Sequence, residues 1–198
     1  MMGKTHFTVG LATALAVLQP QTVGECMLAL IGGSLGGVTA DNDTLHRSHA
    51  VKGHLMALKT ALPAFLIDLF FGLGICKSVY ENRVTAAMGL LAFLILWVIG
   101  YCSDHRTFTH SFMALILYSL AVGMIHKPLA LGFAAAYLSH LILDITNRKK
   151  VPLFYPLDFG ICLKLCYSNK TADKVIRIVG YAVSAFLLGR GLLMGFAV

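Results

Sequence analysis

Four short stretches of this sequence carry histidine and aspartate side chains in patterns that suit metal chemistry. Imidazole nitrogen and carboxylate oxygen, without a thiolate, are ligands for zinc, manganese or iron at hydrolytic sites. A spacing of four residues, as in the last stretch, places two side chains on one face of a helix. The candidate ligands are His6, Asp41, Asp43, His105, His110, His140 and Asp144.

These groups are unusual in a chain of this composition. The 198 residues are 58% hydrophobic and only 13% charged, whereas a soluble domain carries about 25% charged residues. Apolar stretches of near-spanning length recur along the sequence, which is typical of a membrane protein. Because unpaired charge in a membrane is costly, ionisable side chains there indicate function. We expect a single membrane-embedded domain over residues 1–198.

The net charge of +7 has two interpretations. Basic chains bind nucleic acid, but in so apolar a sequence, loops that face anionic lipid explain the charge better. Residues 147–150 (Asn-Arg-Lys-Lys) are typical of headgroup binding, and residues 151–165 are typical of the membrane interface. We therefore expect anionic lipid headgroups as partners and no specific nucleic acid.

Seven apolar segments are predicted as helices, which gives an all-α, polytopic membrane helical bundle. They span residues 5–19, 23–39, 57–76, 84–101, 108–125, 129–146 and 174–197. The first two are short for a bilayer that needs about 20 residues, so they are predicted to form a short hairpin that dips in without crossing. The breaks fall at Pro20 and at residues 41–54, 77–83, 103–107, 126–128 and 147–173.

This order of helices predicts that the four stretches meet on one membrane face. The first segment starts there, the second ends there, the fifth starts there and the sixth ends there. Most lysines and arginines fall on the same side, whereas Lys77, Arg83 and Lys127 fall on the other. The positive-inside rule then predicts a multi-pass protein of the cell (inner or plasma) membrane, with its N-terminus and site on the cytoplasmic side.

The number of candidate ligands exceeds the needs of one tetrahedral ion, so we expect two divalent ions, with zinc favoured and manganese or iron as alternatives. Two ions about 3.5–4 Å apart can clamp the attacking and leaving oxygens of a phosphoester, and a bound water is the nucleophile. Arg106 is predicted to hold a phosphate oxygen through its planar guanidinium. Asp43 and Asp144 are the candidates for proton transfer.

Each pattern alone has an ordinary structural explanation. An Asp-x-Asp pair at a helix end is usually a turn, and a His-x-x-x-Asp pair is often a structural hydrogen bond. Thr109 and Ser111 are expected to cap a helix or to support the ligands, not to act as nucleophiles.

Several other polar residues are given structural roles. For His46, His49 and His54, solvated positions in the basic loop after the second segment are the favoured interpretation, and the alternative is that one of them reaches the site. Asp68 and Arg190 lie inside apolar segments, and an ion pair between them is a further hypothesis.

At the candidate ligands the sequence resembles the YdjM-like family of membrane-bound metal-dependent hydrolases, which is LexA-regulated in some bacteria. The resemblance extends to about residue 157 and rests on residues 4–6, 41–43, 105–111, 137–144 and 151–157. Ala40, Asn42 and Thr107 stand where the family usually has Pro, Ile and Gly, departures that affect the shape of the pocket and retain every ligand. The resemblance implies a distant similarity to zinc-dependent phospholipases C and S1/P1-type nucleases, and hence phosphoester hydrolysis.

Three classes of function stay open. The leading hypothesis is hydrolysis of a phosphoester in a phospholipid or lipid-linked molecule, since a substrate anchored in the bilayer would explain a membrane-embedded site. The alternative is a divalent-metal transporter, although transport sites usually lie near the bilayer midplane and not at helix ends. The third is a non-catalytic scaffold stabilised by a structural metal.

Overall fold

The computed structural model describes residues 2–45, 47–157, 159–168 and 170–196. Within these ranges the chain is helical, and its extended pairing is limited to one antiparallel bridge between Val151 and Ile161. The helices are α1 (Gly3–Leu18), α2 (Val23–Thr39), α3 (Ser48–Phe71), α4 (Ile75–Glu81), α5 (Arg83–Cys102), α6 (Phe112–Ile125), α7 (Lys127–Ile145) and α8 (Thr171–Phe196). Two 3-10 turns, Ala40–Thr44 and Phe108–His110, precede α3 and α6. The predicted all-α fold is confirmed.

Five helices of the described chain are long and apolar enough to cross a membrane: α3, α5, α7, α8, and α2 together with the 3-10 turn that continues it. Together with that turn, α2 reaches 22 residues, which is long enough to cross a membrane. The predicted segment, residues 23–39, was too short to do so. Helix α1 has 16 residues and α6 has 14. The count of about seven membrane helices stays a prediction.

Two of the polar segments that were predicted to separate the helices are themselves largely helical, so these two predictions are wrong. Helix α3 begins at Ser48, so His49 and His54 lie on a helix and not in a solvated loop. Its polar first turns are held against the start of α1, where the backbones of Gly3 and Gly53 touch. His46 lies outside the described residues.

The second wrong break lies at residues 77–83, most of which α4 occupies. The carboxylate of Asp68, at the end of α3, accepts hydrogen bonds from the amides of Ile75 and Cys76 at 2.9 and 2.7 Å and so starts this helix. That role also replaces the hypothetical ion pair, since no salt bridge joins Asp68 to Arg190 within the described ranges.

Helix α2 lies at the centre of the bundle, packed against α1, α3 and α7. Small residues allow this close approach. A Cβ on Gly10 of α1 would lie 2.6 Å from the Cα of Gly37, and one on Gly36 would collide with the backbone carbonyl of Phe133 in α7. Helices α1 and α7 and the turn that continues α2 carry five of the seven predicted ligands, and they belong to this tightly packed part of the bundle.

The outer helices expose apolar side chains. Most of α5 and α8 faces away from the bundle, with residues such as Leu91 and Phe186 well exposed. Apolar side chains directed outward on helices of this length suit contact with lipid. The polar groups described below are instead enclosed at one end of the bundle.

Candidate metal centre

The four stretches meet at one end of the helical bundle. They are brought there by the start of α1, the 3-10 turn after α2, the loop and 3-10 turn between α5 and α6, and the end of α7. His6, His110 and His140 are fully buried, and Asp144 is almost so. All seven predicted ligands lie within this cluster, while their role as ligands stays a prediction.

Asp144 contacts side chains from two other parts of the chain and one on its own helix. Its Oδ1 lies 3.3 Å from Nε2 of His6. Its Oδ2 lies 3.2 Å from both Nε2 of His110 and Nη2 of Arg106, and 4.0 Å from Nε2 of His140. One buried carboxylate therefore joins α7 to α1 and to the loop between α5 and α6.

Asp43 organises the other side of the cluster. Its Oδ2 accepts hydrogen bonds from the backbone amide of Arg106 at 2.9 Å and from the hydroxyl of Thr109 at 3.1 Å. The same oxygen lies 3.3 and 3.4 Å from the Nδ1 atoms of His105 and His110. A carboxylate on Nδ1 fixes an imidazole with Nε2 available and makes it a better metal ligand.

His140 is oriented by backbone. Its Nδ1 lies 2.9 Å from the carbonyl oxygen of Gly37, which leaves Nε2 available, 3.7 Å from Oδ1 of Asp41. The ring stacks on that of His6, with centroids 3.7 Å apart and planes at 14°. Two positive rings this close would repel strongly, so the pair favours a neutral imidazole, which is the form that binds metal.

His110 lies outside the candidate membrane spans. Burial opposes its protonated form, but contacts with Asp144 and Asp43 outweigh burial and raise the pKa of His110 to about 9. A proton on this ring offsets part of the negative charge of the two carboxylates. A divalent cation bound there would take over that role and displace the proton.

The donor atoms of the cluster fit a divalent metal. Two groups of three buried side chains place their ligand atoms within 4.8 Å of one another: His6, His140 and Asp144, and Asp41, His110 and His140. Both groups use His140, whose Nδ1 is occupied, so only its Nε2 is left to bind an ion. Two ions would therefore need a further donor to complete one of the groups.

Unsatisfied polar atoms give a second indication of a cation. Among the described residues, Nδ1 of His6, Oδ2 of Asp41, Oδ1 of Asp43 and Nε2 of His140 are buried without a hydrogen-bond partner. Buried polar atoms are rarely left so. A cation among them would satisfy nitrogen lone pairs and carboxylate oxygens together.

Arg106 is held at the edge of the cluster. Its Nη1 donates to the carbonyl of Lys149 at 2.9 Å and its Nη2 contacts Asp144, while Nε is buried without a partner in the described chain. Arg106 has a φ of 65°, in the left-handed region, whereas Thr107 has a φ of −110°. A threonine in place of the family's usual glycine is therefore not strained by a positive φ.

The predicted supporting roles of Thr109 and Ser111 are confirmed. Thr109 donates to Asp43, and its carbonyl accepts a hydrogen bond from the hydroxyl of Tyr137. Ser111 caps α6 by accepting the amide of Ala114 at 3.1 Å.

A cavity of about 390 Å³ opens onto the cluster. Its cationic side chains are Arg47, Arg106, Arg148 and Lys149, and Arg148 stacks over the ring of Tyr167 at 3.9 Å. Its further walls are Met2, Asp41, His49, His105, Asp144, Asn147 and Ser168. A cleft lined by cations attracts anions.

Two further residues line the cavity, His49 and Tyr167. His49 is one of the three histidines for which a place at the site was the alternative prediction, whereas Tyr167 was not predicted. His49 lies in the first turn of α3, and a helix start predicted at residue 48 would have placed it beside the ligands. Tyr167 comes from the irregular segment before α8, and no spacing pattern in the sequence pointed to it.

Comparison with protein families identifies one family whose model covers nearly the whole chain. The family model described as YdjM inner membrane protein matches residues 1–196. Comparisons with curated proteins and with solved structures give no match. The description of the family names a membrane and no reaction, so the chemistry has to be argued from the cluster.

Proposed function

This chain belongs to the YdjM inner membrane protein family, and we propose that it is a metal-dependent hydrolase that cleaves a phosphoester of a phospholipid or lipid-linked substrate. The observation that supports this most is the buried cluster of imidazoles and carboxylates with an arginine beside it. Burying so many ionisable groups in an apolar chain is costly unless they serve a site.

The residues suited to hold the metal are those with donor atoms that are available. They are Nε2 of His110 and of His140, His6, and the carboxylates of Asp41 and Asp144. This mixture of nitrogen and oxygen donors favours zinc, with manganese or iron as alternatives. A bound divalent ion supplies an activated water and polarises the phosphoryl group. A second ion would need one donor beyond these, and His105 is the candidate for it.

The chain's own residues have distinct roles in this proposal. Arg106 orients the substrate by binding a phosphate oxygen, for which its fixed, planar guanidinium is suited. Asp43 holds His105 and His110 in place through their Nδ1 atoms. Asp144, in contact with both His6 and Arg106, is placed to accept a proton as the phosphoester is attacked.

The cavity supports an anionic substrate drawn from the membrane. Its mouth carries Arg47, Arg148 and Lys149, which would bind phosphate oxygens. The neighbouring loop exposes Phe154 and Phe159, whose aromatic rings suit the lipid interface. A lipid with an anionic headgroup combines both features.

The proposed orientation rests on the distribution of charge. Lysines and arginines are concentrated at the end of the bundle that carries the cluster, which supports a multi-pass arrangement with this end on the cytoplasmic side of the inner membrane. The substrate would then be taken from the cytoplasmic leaflet.

The test is an assay of the purified, zinc-loaded protein with phosphatidylglycerol and phosphatidic acid in mixed micelles, with and without chelator. We expect release of a phosphate-containing product that chelator abolishes and that His140→Ala lowers by at least about 100-fold, because several kcal/mol of charge stabilisation are lost. Lys170→Gln, a change at an exposed lysine outside the cavity walls, is the control. Equal turnover with chelator would refute the proposal.

The same preparation separates hydrolysis from transport. Proteoliposomes loaded with a zinc-sensitive dye should show no zinc flux above that of empty vesicles. Flux that depends on His140, without turnover of lipid, would favour the transporter instead.

A further inference from the structure

A second cavity lies at the opposite end of the helices that carry the metal cluster. It has a volume of about 850 Å³, and α4, the start of α5, the end of α6 and the start of α7 form its walls. Along α7 the rise from His126 to Asp144 is about 27 Å at 1.5 Å per residue. Because a hydrocarbon core is about 30 Å thick, this cavity and the cluster belong to opposite membrane faces.

Two polar side chains in this cavity lack partners. His126 is only 8% exposed, and its Nδ1 has no hydrogen-bond partner within the described ranges. The hydroxyl of Ser119 is likewise buried without one. Both residues line the cavity. Since buried polar atoms are normally satisfied, polar atoms of a ligand would complete their hydrogen bonding.

The charge around the cavity favours an anion. Helix α7 begins here without a side-chain cap and without an acidic residue in its first turn, which leaves the positive end of its dipole without a carboxylate of its own. Pro128 has no backbone N–H and that of Leu129 bonds the carbonyl of His126, so the side chain of Lys127 is the main donor at this helix start. Lys127 lines the cavity, and its described walls include no carboxylate. Arg83 adjoins the wall residue Asn82 in sequence. Two carboxylates act against an anion, since Glu81 lies 4.0 Å from Lys77 and Asp68 interacts electrostatically with His126. The remaining positive charge of the site is that of Lys127 and Arg83.

The remaining walls are apolar and face outward. Leu120, Met124 and Ile125 of α6 and Ala130 of α7 form them, and Leu120 is 61% exposed on the outside of the bundle. Inorganic phosphate would use the polar walls alone. A ligand that joins a phosphate to an acyl chain would use both.

We propose that this cavity binds the headgroup of an anionic phospholipid from the leaflet that faces away from the metal cluster. The phosphate contacts His126, Ser119 and the start of α7, and an acyl chain follows the outer face of α6. This lipid is a bound partner at a separate site, so the proposal does not depend on hydrolysis at the cluster.

The experiment is native mass spectrometry of the protein released from nanodiscs that contain equal amounts of phosphatidylglycerol and phosphatidylcholine with the same acyl chains. The wild type should retain phosphatidylglycerol in preference. Lys127→Gln should lower that retention about fivefold, since one lysine near a lipid surface contributes about that factor. Ser119→Leu, which fills the cavity, should lower it at least as much.

Two controls locate the bound lipid. Lys170→Gln makes the same charge change near the metal-cluster end and should leave retention unchanged. The second control is wild-type protein treated with chelator, which should retain the lipid equally, because the walls of the second cavity include none of the proposed metal ligands. A melting curve in detergent identifies any variant that is misfolded. If Ser119→Leu is misfolded, the test rests on Lys127→Gln, which changes an exposed position.

Three results would overturn the proposal. They are equal retention of the two lipids, wild-type retention by both Lys127→Gln and Ser119→Leu, and displacement of the lipid by inorganic phosphate alone. The last result would show that the site recognises a free anion and not a lipid.

Discussion

At the scale of residues, two carboxylates of the cluster have different surroundings. Asp144 faces Nε2 atoms and a guanidinium, the groups that surround a bound ion or substrate. Asp43 faces Nδ1 atoms and a backbone amide. Asp144 is therefore placed to contact the metal and substrate, whereas the contacts of Asp43 position other residues.

Neutralising the two carboxylates should have unequal effects. Asp144→Asn should abolish tight zinc binding, because it removes a charged ligand. Asp43→Asn should lower zinc affinity by about 10–100-fold, the usual effect of losing a carboxylate that orients ligating histidines. Zinc affinity is measured by competition with a chromophoric chelator.

Asp104→Asn is the matched control, since Asp104 is exposed and adjoins His105. It should bind zinc as the wild type does. A greater loss from Asp43→Asn than from Asp144→Asn would reverse the roles assigned here.

Replacing Arg106 by lysine keeps the charge but removes the planar group that bonds both Lys149 and Asp144. We expect turnover to fall by about 10–100-fold, as the loss of charge-assisted hydrogen bonds of about 1.5–3 kcal/mol implies. Zinc content, measured by atomic emission, should not change. A loss of zinc together with turnover would make Arg106 a structural residue.

At the scale of elements, the position of His6 depends on how closely α1 approaches α2. The two helices approach closely at Gly10 and Gly37, one helical turn from the ligand. Neither backbone can move aside without carrying its helix along. The packing of the hairpin and the geometry of the cluster are therefore linked.

Gly10→Ala should destabilise the protein by about 1–3 kcal/mol, the usual cost of overpacking. The added Cβ would lie 2.6 Å from the backbone of Gly37. Gly189→Ala in α8 is the control, since nothing lies within 4 Å of its Cβ position. Thermal unfolding in detergent should show a lower melting temperature for the first variant alone, and equal temperatures would contradict the packing argument.

At the scale of the whole molecule, the positive charges distinguish the two ends of the bundle. The end with the cluster carries Arg47, Arg148 and Lys149 around one cavity, together with most of the other lysines and arginines of the chain. The other end carries Lys77, Arg83 and Lys127. This asymmetry is the basis of the proposed orientation.

Cysteine labelling in intact cells tests that orientation. In a background without the five native cysteines, Lys170→Cys should react with an impermeant maleimide only after the cells are opened. Tyr80→Cys, on exposed α4 at the other end, should react in intact cells. The reverse pattern would place the cluster on the outer face.

The sequence could predict the cluster because apolar runs locate helices well and the ligands lie at their ends. It could not predict that α3 starts at Ser48, because the contact between Gly3 and Gly53 that holds those polar turns is between distant residues. It likewise gave no sign that Asp68 caps α4 from seven residues away. The roles of Asp43 and His140 depend on which ring nitrogen each contact uses, which spacing cannot reveal.

The first residues of the described chain have a practical consequence for handling the protein. Met2 lines the cavity over the cluster, and its amide lies 3.3 Å from the carboxylate of Asp173 at the start of α8. Any affinity tag joined ahead of Met2 would leave the fold beside the mouth of that cavity. An affinity tag is better placed after α8. A polyhistidine tag ahead of Met2 would add imidazoles that compete for metal next to the site being assayed.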